Sequence, residues 1–158
     1  MTNPEAPNEN ASRAIVKLPL AAAIIALIGL ADAIYLTVHH YTAAPVPCGA
    51  DFDCGSVLSS PYAEIGGIPL AAFGAAAYFA AFSLALLAAF GNRALWTLFG
   101  AQTILMATVS AWLIYIQYAV IHAWCQYCLV SAFTTFTLYL IFLASRFLKA
   151  DNSDISTG

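Results

Sequence analysis

A bundle of four membrane-spanning helices is the fold this sequence predicts, an all-α membrane protein, and three observations predict it. Of the 158 residues, 62 % are hydrophobic and only 8 % are charged, far below the roughly 25 % charged residues usual in soluble domains. The apolar residues gather in four runs of about 20 residues or more, the length that crosses a hydrocarbon core of about 30 Å. All five Lys and Arg residues fall on one side of the resulting arrangement: Arg13 and Lys17 before the first run, Arg93 between the second and third, Arg146 and Lys149 after the fourth. Basic residues favour short cytoplasmic loops, so both termini are expected in the cytoplasm and the other two connections outside it. A net charge of −3 with no basic patch excludes a nucleic-acid partner.

Taken in order, residues 1–13 are polar, contain two prolines and lack periodicity, and are expected to form a disordered cytoplasmic lead. Residues 14–149 form the four-span domain. Its first span, 18–38, is apolar apart from Asp32 and Thr37. Arg13 and Lys17 ahead of an apolar stretch, with Ala31-Asp32-Ala33 as a cleavage site, also resemble a signal peptide. The apolar run continues through Ile34, Tyr35, Leu36 and Val38, which favours an uncleaved helix.

Residues 42–66 form a long connection punctuated by Pro45, Pro47 and Pro61 and containing Cys48, Asp51, Asp53, Cys54 and Glu64. Loops of this length tend to carry function. The second span, 68–90, opens on small residues, Gly67, Ala71, Gly74 and Ala75, whose spacing lets a neighbouring backbone approach closely. A turn at Gly91-Asn92-Arg93 leads to the third span, 94–121, with Trp96 near one end and Trp112 and Tyr115 towards the other. A short His122-Ala123 link and Trp124 precede the fourth span, 125–144, and 150–158 are expected to be a disordered cytoplasmic tail.

The chemistry lies in the sulfurs. All four cysteines, Cys48, Cys54, Cys125 and Cys128, fall on the expected extracytoplasmic side, where thiols can be oxidised and remain so. Cys125 and Cys128 form a Cys-x-x-Cys, the commonest redox-active spacing. Cys125 is expected in the first turn of the fourth span, where free backbone amides and the helix dipole favour a thiolate. Cys128, one turn deeper on the same face, is better placed for a membrane-soluble electron carrier. A static bridge across this helical turn is the structural alternative, though it would constrain little chain entropy. Cys48 and Cys54, with five residues between them, suit either a loop staple or a redox pair. Zinc is disfavoured because its structural ligands usually pair two to four residues apart, so no metal site is expected. The βαβ context of a thioredoxin-like Cys-x-x-Cys is missing.

Among other polar groups, Asp32 lies roughly 9 Å below Val38 at about 1.5 Å per residue, and an ionisable group at that depth is a functional candidate. It suits a proton relay, with interhelical hydrogen bonding as the plainer alternative. His39, His40 and His122 cluster at the outer interface and are expected to be interfacial polar groups.

Cys48, Cys54, Val57 and Ser60, then Gly67-Ile68-Pro69 and Gly74, then Cys125-x-x-Cys128 together resemble the vitamin K epoxide reductase family in its bacterial form. Gly29, Tyr35-Leu36-Thr37 and His39 are similar to that family's opening helix. The resemblance covers about residues 18–144. It implies a four-helix bundle around a quinone, ubiquinone or menaquinone, in a bacterial inner membrane. It also implies electron flow from a reduced thioredoxin-fold, DsbA-like partner through the loop pair and the Cys-x-x-Cys to quinone. Carried across, Cys48 and Cys54 are the shuttle pair, Cys54 exchanges with Cys125, Cys128 stands next to the quinone, and Ser60 helps organise the site.

The quinone site so implied comprises Cys128, Ala132, Leu70, Phe73 and Asp32. Animal family members place Tyr and Asn where this chain has Ala132 and Leu70, so quinone reduction is expected and not epoxide reduction. Many bacterial relatives carry a fused thioredoxin-like domain; with the sequence ending at Gly158, a separate partner is expected. Two readings stand beside this one. A four-span structural protein with two permanent disulfides shares the cysteines, and a DsbB-type enzyme shares the reaction, although the Gly-Ile-Pro leading into span two argues against the latter.

Overall fold

The chain runs as α1 (Ala6–Thr42), a short α2 (Cys54–Leu58), a hairpin of β1 (Glu64–Ile65) and β2 (Ile68–Pro69), α3 (Leu70–Ala89), α4 (Arg93–Ile116) with a π-helical turn (Gln117–Ile121), and α5 (Gln126–Ile155). These elements belong to a computed structural model that describes residues 6–155, with side chains described over 17–147. Among the described residues, four helices are long and apolar enough to cross a membrane: Lys17–Thr42, Leu70–Ala89, Arg93–Ile121 and Gln126–Phe147. The protein is a multi-pass membrane protein built as an all-α bundle. Each long helix packs along two neighbours, α1 on α3 and α5, and α4 on α3 and α5, which is the closed ring expected of a four-helix bundle.

Small residues bring the backbones together. Ala22, Ala23, Ala26 and Ala33 of α1 and Ala81 and Ala85 of α3 are all buried, so α1 and α3 meet closely across small side chains. Gly29 takes this furthest: a Cβ there would run into the ring of Tyr78. The stripe foreseen at the start of span two is displaced at one end, because Gly67 lies in the hairpin and α3 begins only at Leu70. Between α4 and α5 the core is aromatic, with Phe99 and Phe142 buried. Trp96 stacks on Phe99 with ring centroids 4.8 Å apart and donates from Nε1 to Ser145 Oγ at 2.8 Å.

The long connection carries structure of its own. Asp53 caps α2, its Oδ1 accepting from the Ser56 N–H at 3.0 Å. β1 and β2 pair antiparallel with Ile65 opposite Ile68. The two residues between them, Gly66 and Gly67, have φ of 61° and 81°, the doubly left-handed geometry that a two-residue hairpin turn of matching twist requires. The Leu70 N–H donates to Ala63 C=O at 2.8 Å and fastens the hairpin to the start of α3.

Three boundaries differ from expectation. Residues 6–13, expected as part of an unstructured lead, continue α1 as helix, and 1–5 lie outside the described residues. Extending an existing helix needs no new nucleus, and a proline near its first turn removes only an amide with no partner there. The tail expected over 150–158 is likewise helical to Ile155, with 156–158 outside the described residues. At the outer end α1 persists to Thr42, so Asp32 lies about 15 Å from that helix end at about 1.5 Å per residue, deeper than the distance reckoned from Val38.

Candidate functional site

Both cysteine segments meet at one end of the bundle. Cys48 and Cys54 are joined as a disulfide with Cα atoms 6.2 Å apart, while Cys125 and Cys128 are free thiols. Cys54, Val57 and Cys125 form a buried cluster, with exposures of 1 %, 7 % and 0 %, against which Cys48, Tyr127 and Cys128 pack. The loop pair is therefore asymmetric: Cys54 is sealed beside Cys125, while Cys48 is half-buried.

Three hydrogen bonds hold the loop on the Cys-x-x-Cys. The Asp53 N–H donates to Trp124 C=O at 3.0 Å. The Gly49 N–H donates to Gln126 Oε1 at 3.1 Å, and the Tyr127 hydroxyl donates to Pro47 C=O at 3.0 Å. Gln126 and Tyr127, the two residues between the cysteines, are thus both engaged by the opposite loop. Tyr127 also lies 5.3 Å from the ring of Tyr35, which in turn lies 4.3 Å from the His39 ring, so the end of α1 joins the assembly.

Cys125 stands one residue ahead of α5 and not within its first turn, as the sequence had suggested. Its Sγ accepts the Cys128 N–H at 3.4 Å, the placement by which a capping side chain satisfies an amide that has no partner within the helix. Donation from the Cys128 side chain, and then from the Cys128 and Tyr127 amides, holds the Cys125 thiol below its ordinary pKa against the opposing effect of burial. The Cys125 N–H donates to Gln117 Oε1 at 2.9 Å. Gln117 opens the π-helical turn that ends α4, and its carbonyl accepts the N–H groups of His122 and Ala123. His122 takes a left-handed φ of 54°, which reverses the chain towards Cys125.

Beneath the sulfurs lies a cavity of about 540 Å³ whose lining includes Asp32, Ser60, Leu70, Phe73, Cys128 and Ala132. Every residue assigned to a quinone site from the sequence therefore faces one space, together with Ser60. Leu36, Leu105, Met106, Val109 and Leu113 make it mostly apolar, and its size lies within the range of about 300 to 1,000 Å³ usual for small-molecule sites. Among the described residues Asp32 Oδ2 is sealed within the protein without a hydrogen-bond partner. Such an orphaned oxygen calls for a polar group from outside the chain. The apolar wall suits an aromatic ring with a long apolar tail, and the Asp32 oxygen, an acceptor, suits the hydroxyl of such a ring's reduced form. Ser60 Oγ donates to Val57 C=O at 2.7 Å, tying the loop serine to α2.

Two polar features went unmarked in the sequence. Tyr78, 1 % exposed, donates its hydroxyl to Ser131 C=O at 2.6 Å, with Ser131 Oγ at 3.0 Å and Thr135 Oγ1 at 2.8 Å. These partners share the face of α5 that carries Cys128. Gln117, 2 % exposed, is the other; an amide inside an apolar span is the signal that marks it.

Residues 20–143 match the Vitamin K epoxide reductase family. The chain is also similar to the Thiol-disulfide oxidoreductase LTO1 of Arabidopsis thaliana, 35 % identical over 120 residues, a match covering 70 % of this chain and 32 % of the relative. The chain spans about a third of that curated relative's length. With both cysteine pairs, the sealed Cys54–Cys125 cluster and the cavity all inside the matched stretch, the chain belongs to the vitamin K epoxide reductase family.

Proposed function

We propose that this protein is a membrane thiol:quinone oxidoreductase that makes disulfides by reoxidising a thioredoxin-fold, DsbA-like partner. The observation that carries the reading is the buried contact of Cys54 with Cys125 directly above a cavity that Cys128 lines. Cys48, the less buried sulfur of the loop pair, takes the partner's thiolate. The Cys48–Cys54 bond breaks, a Cys48–partner disulfide forms, and the partner's second thiol displaces Cys48 to leave the partner oxidised. Two electrons and two protons now reside on the Cys48 and Cys54 thiols. Cys54 attacks Cys125 of the oxidised inner pair, Cys128 leaves, and Cys48 then attacks Cys54 to restore the loop disulfide. The result is the state seen here, with a bridged loop pair and free Cys125 and Cys128.

Closing Cys125–Cys128 again releases two electrons and two protons, for which a quinone held by Leu70, Phe73, Ala132 and Asp32 supplies the acceptor. Asp32, whose side chain lines that cavity, is placed to hold a proton there, and the lowered Cys125 thiol gives the inner pair its nucleophile. Residues 42–66 and the His122-Ala123 link contain no Lys or Arg, which supports cysteines on the outer face of a bacterial inner membrane with both termini cytoplasmic.

Purified protein with reduced thioredoxin-fold partner and ubiquinone or menaquinone tests this directly. Loss of quinone absorbance with wild type and none with Cys128→Ala is expected. An unchanged absorbance with wild type, or continued reduction by Cys128→Ala, defeats the assignment.

A further inference from the structure

The cavity holds few groups able to donate a hydrogen bond to an acceptor-only ligand. The Tyr78 hydroxyl is shared among Ser131 and Thr135, the Ser60 hydroxyl is given to Val57 C=O, and His39 Nδ1 pairs with Ala44 C=O at 3.3 Å. Leu70 and Ala132 offer nothing polar. Among the other lining donors Tyr62 is exposed and His40 and Ser110 are half-buried, whereas Gln117 is 2 % exposed, with Oε1 committed to the Cys125 N–H. Among the described residues nothing accepts from its Nε2, yet Asp32 Oδ2 is the side-chain polar atom that is both sealed and unpartnered. Gln117 lines the cavity, and its amide nitrogen lies outside the sealed set, within reach of that space. A buried amide N–H without a partner is costly, and a ligand carbonyl at that point removes the cost.

We propose that Gln117 binds a carbonyl oxygen of the quinone through Nε2 while its Oε1 holds the backbone of Cys125, so that one amide sets the position of both reactants. The inference rests on the quinone reading of the cavity and adds the residue that orients the ring. The two roles sit on different atoms of one side chain. Gln117→Glu keeps an oxygen for the Cys125 N–H and, assayed at alkaline pH where the carboxyl is ionised, carries no donor; Gln117→Met removes both. The π-helical turn gives the placement a structural reason, since the extra residue in that turn redirects the end of α4 towards Cys125.

The test uses the full-length protein in lipid nanodiscs loaded with menaquinone labelled with ¹³C at its carbonyls. Infrared difference spectra of wild type should show one carbonyl band shifted to lower frequency, and that shift should vanish in both variants. The quinone KM should rise several-fold in Gln117→Glu, up to about tenfold for loss of one neutral hydrogen bond. Formation of a Cys54–Cys125 bridge is followed separately, in a Cys48→Ala, Cys128→Ala background oxidised with copper phenanthroline. There Gln117→Glu should bridge as fast as the parent, and Gln117→Met more slowly.

A carbonyl band that stays shifted in both variants overturns the binding role, and equal bridging by Gln117→Met overturns the positioning role. If wild type bridges Cys54 to Cys125 but neither shifts a quinone band nor reduces quinone, the quinone reading of the cavity fails and this inference falls with it.

Discussion

Asp53 shows how a single exposed carboxylate can govern a redox sulfur. Its Oδ1 accepts the Ser56 N–H at 3.0 Å and its Oδ2 accepts the Ser56 hydroxyl at 2.6 Å, and these bonds hold its pKa below the usual carboxylate value. A lowered folded-state value means the cap is at full strength above the ordinary carboxylate pKa and is lost as pH falls through the lowered one. Pepsin nicking within the 48–69 connection should therefore increase on acidification in wild type, stay low in Asp53→Asn, whose amide caps without titrating, and be high throughout in Asp53→Ala. Gly29 makes the opposite point, that packing can leave no room for one carbon. Gly29→Ala should displace Tyr78 from Ser131 and Thr135 and cost about 1–3 kcal/mol, read as a lower unfolding midpoint in detergent. The four cysteines were legible in the sequence because thiols are scarce and their chemistry is narrow. Gln117 and Tyr78 were not, since their meaning depends on groups 8 and 57 residues away in the chain.

At the level of elements, the connection between α1 and α3 is a clasp whose other half is the Cys-x-x-Cys segment. Replacing Gln126 with Ala and Tyr127 with Phe removes two of its three hydrogen bonds, each worth about 0.5–1.5 kcal/mol net. Amides of residues 49–53 should then exchange hydrogen at least about fivefold faster, with helix content by circular dichroism unchanged. Were exchange unaltered, the clasp would not depend on these side chains. The Gly66-Gly67 hairpin turn has a sequence signature, but α2 has none: five residues are too few to show a helical period. The π-helical turn was equally hidden, because a span that is apolar all round carries no register from which one extra residue could be noticed. The same lack of register explains why span ends in the sequence lie a few residues from the observed ones.

Across the whole molecule, the bundle was the most legible feature, since length and hydropathy alone impose it on a lipid-embedded chain. The shared cavity followed from the family resemblance and not from periodicity; no pattern in the sequence places Phe73 opposite Cys128. The proposed orientation makes a direct prediction. In a cysteine-free background, a cysteine introduced at Gly49 should react in intact cells with a membrane-impermeant maleimide, and one at Asn92 only after lysis; the reverse would invert the topology. What joins the aqueous-facing loop to the lipid-facing helix in register is one main-chain bond, from the Asp53 N–H to Trp124 C=O. Those two residues immediately precede Cys54 and Cys125. Because the bond lies in the backbone, it can form whatever side chain stands at position 124, and at position 53 proline alone among the twenty amino acids would delete it.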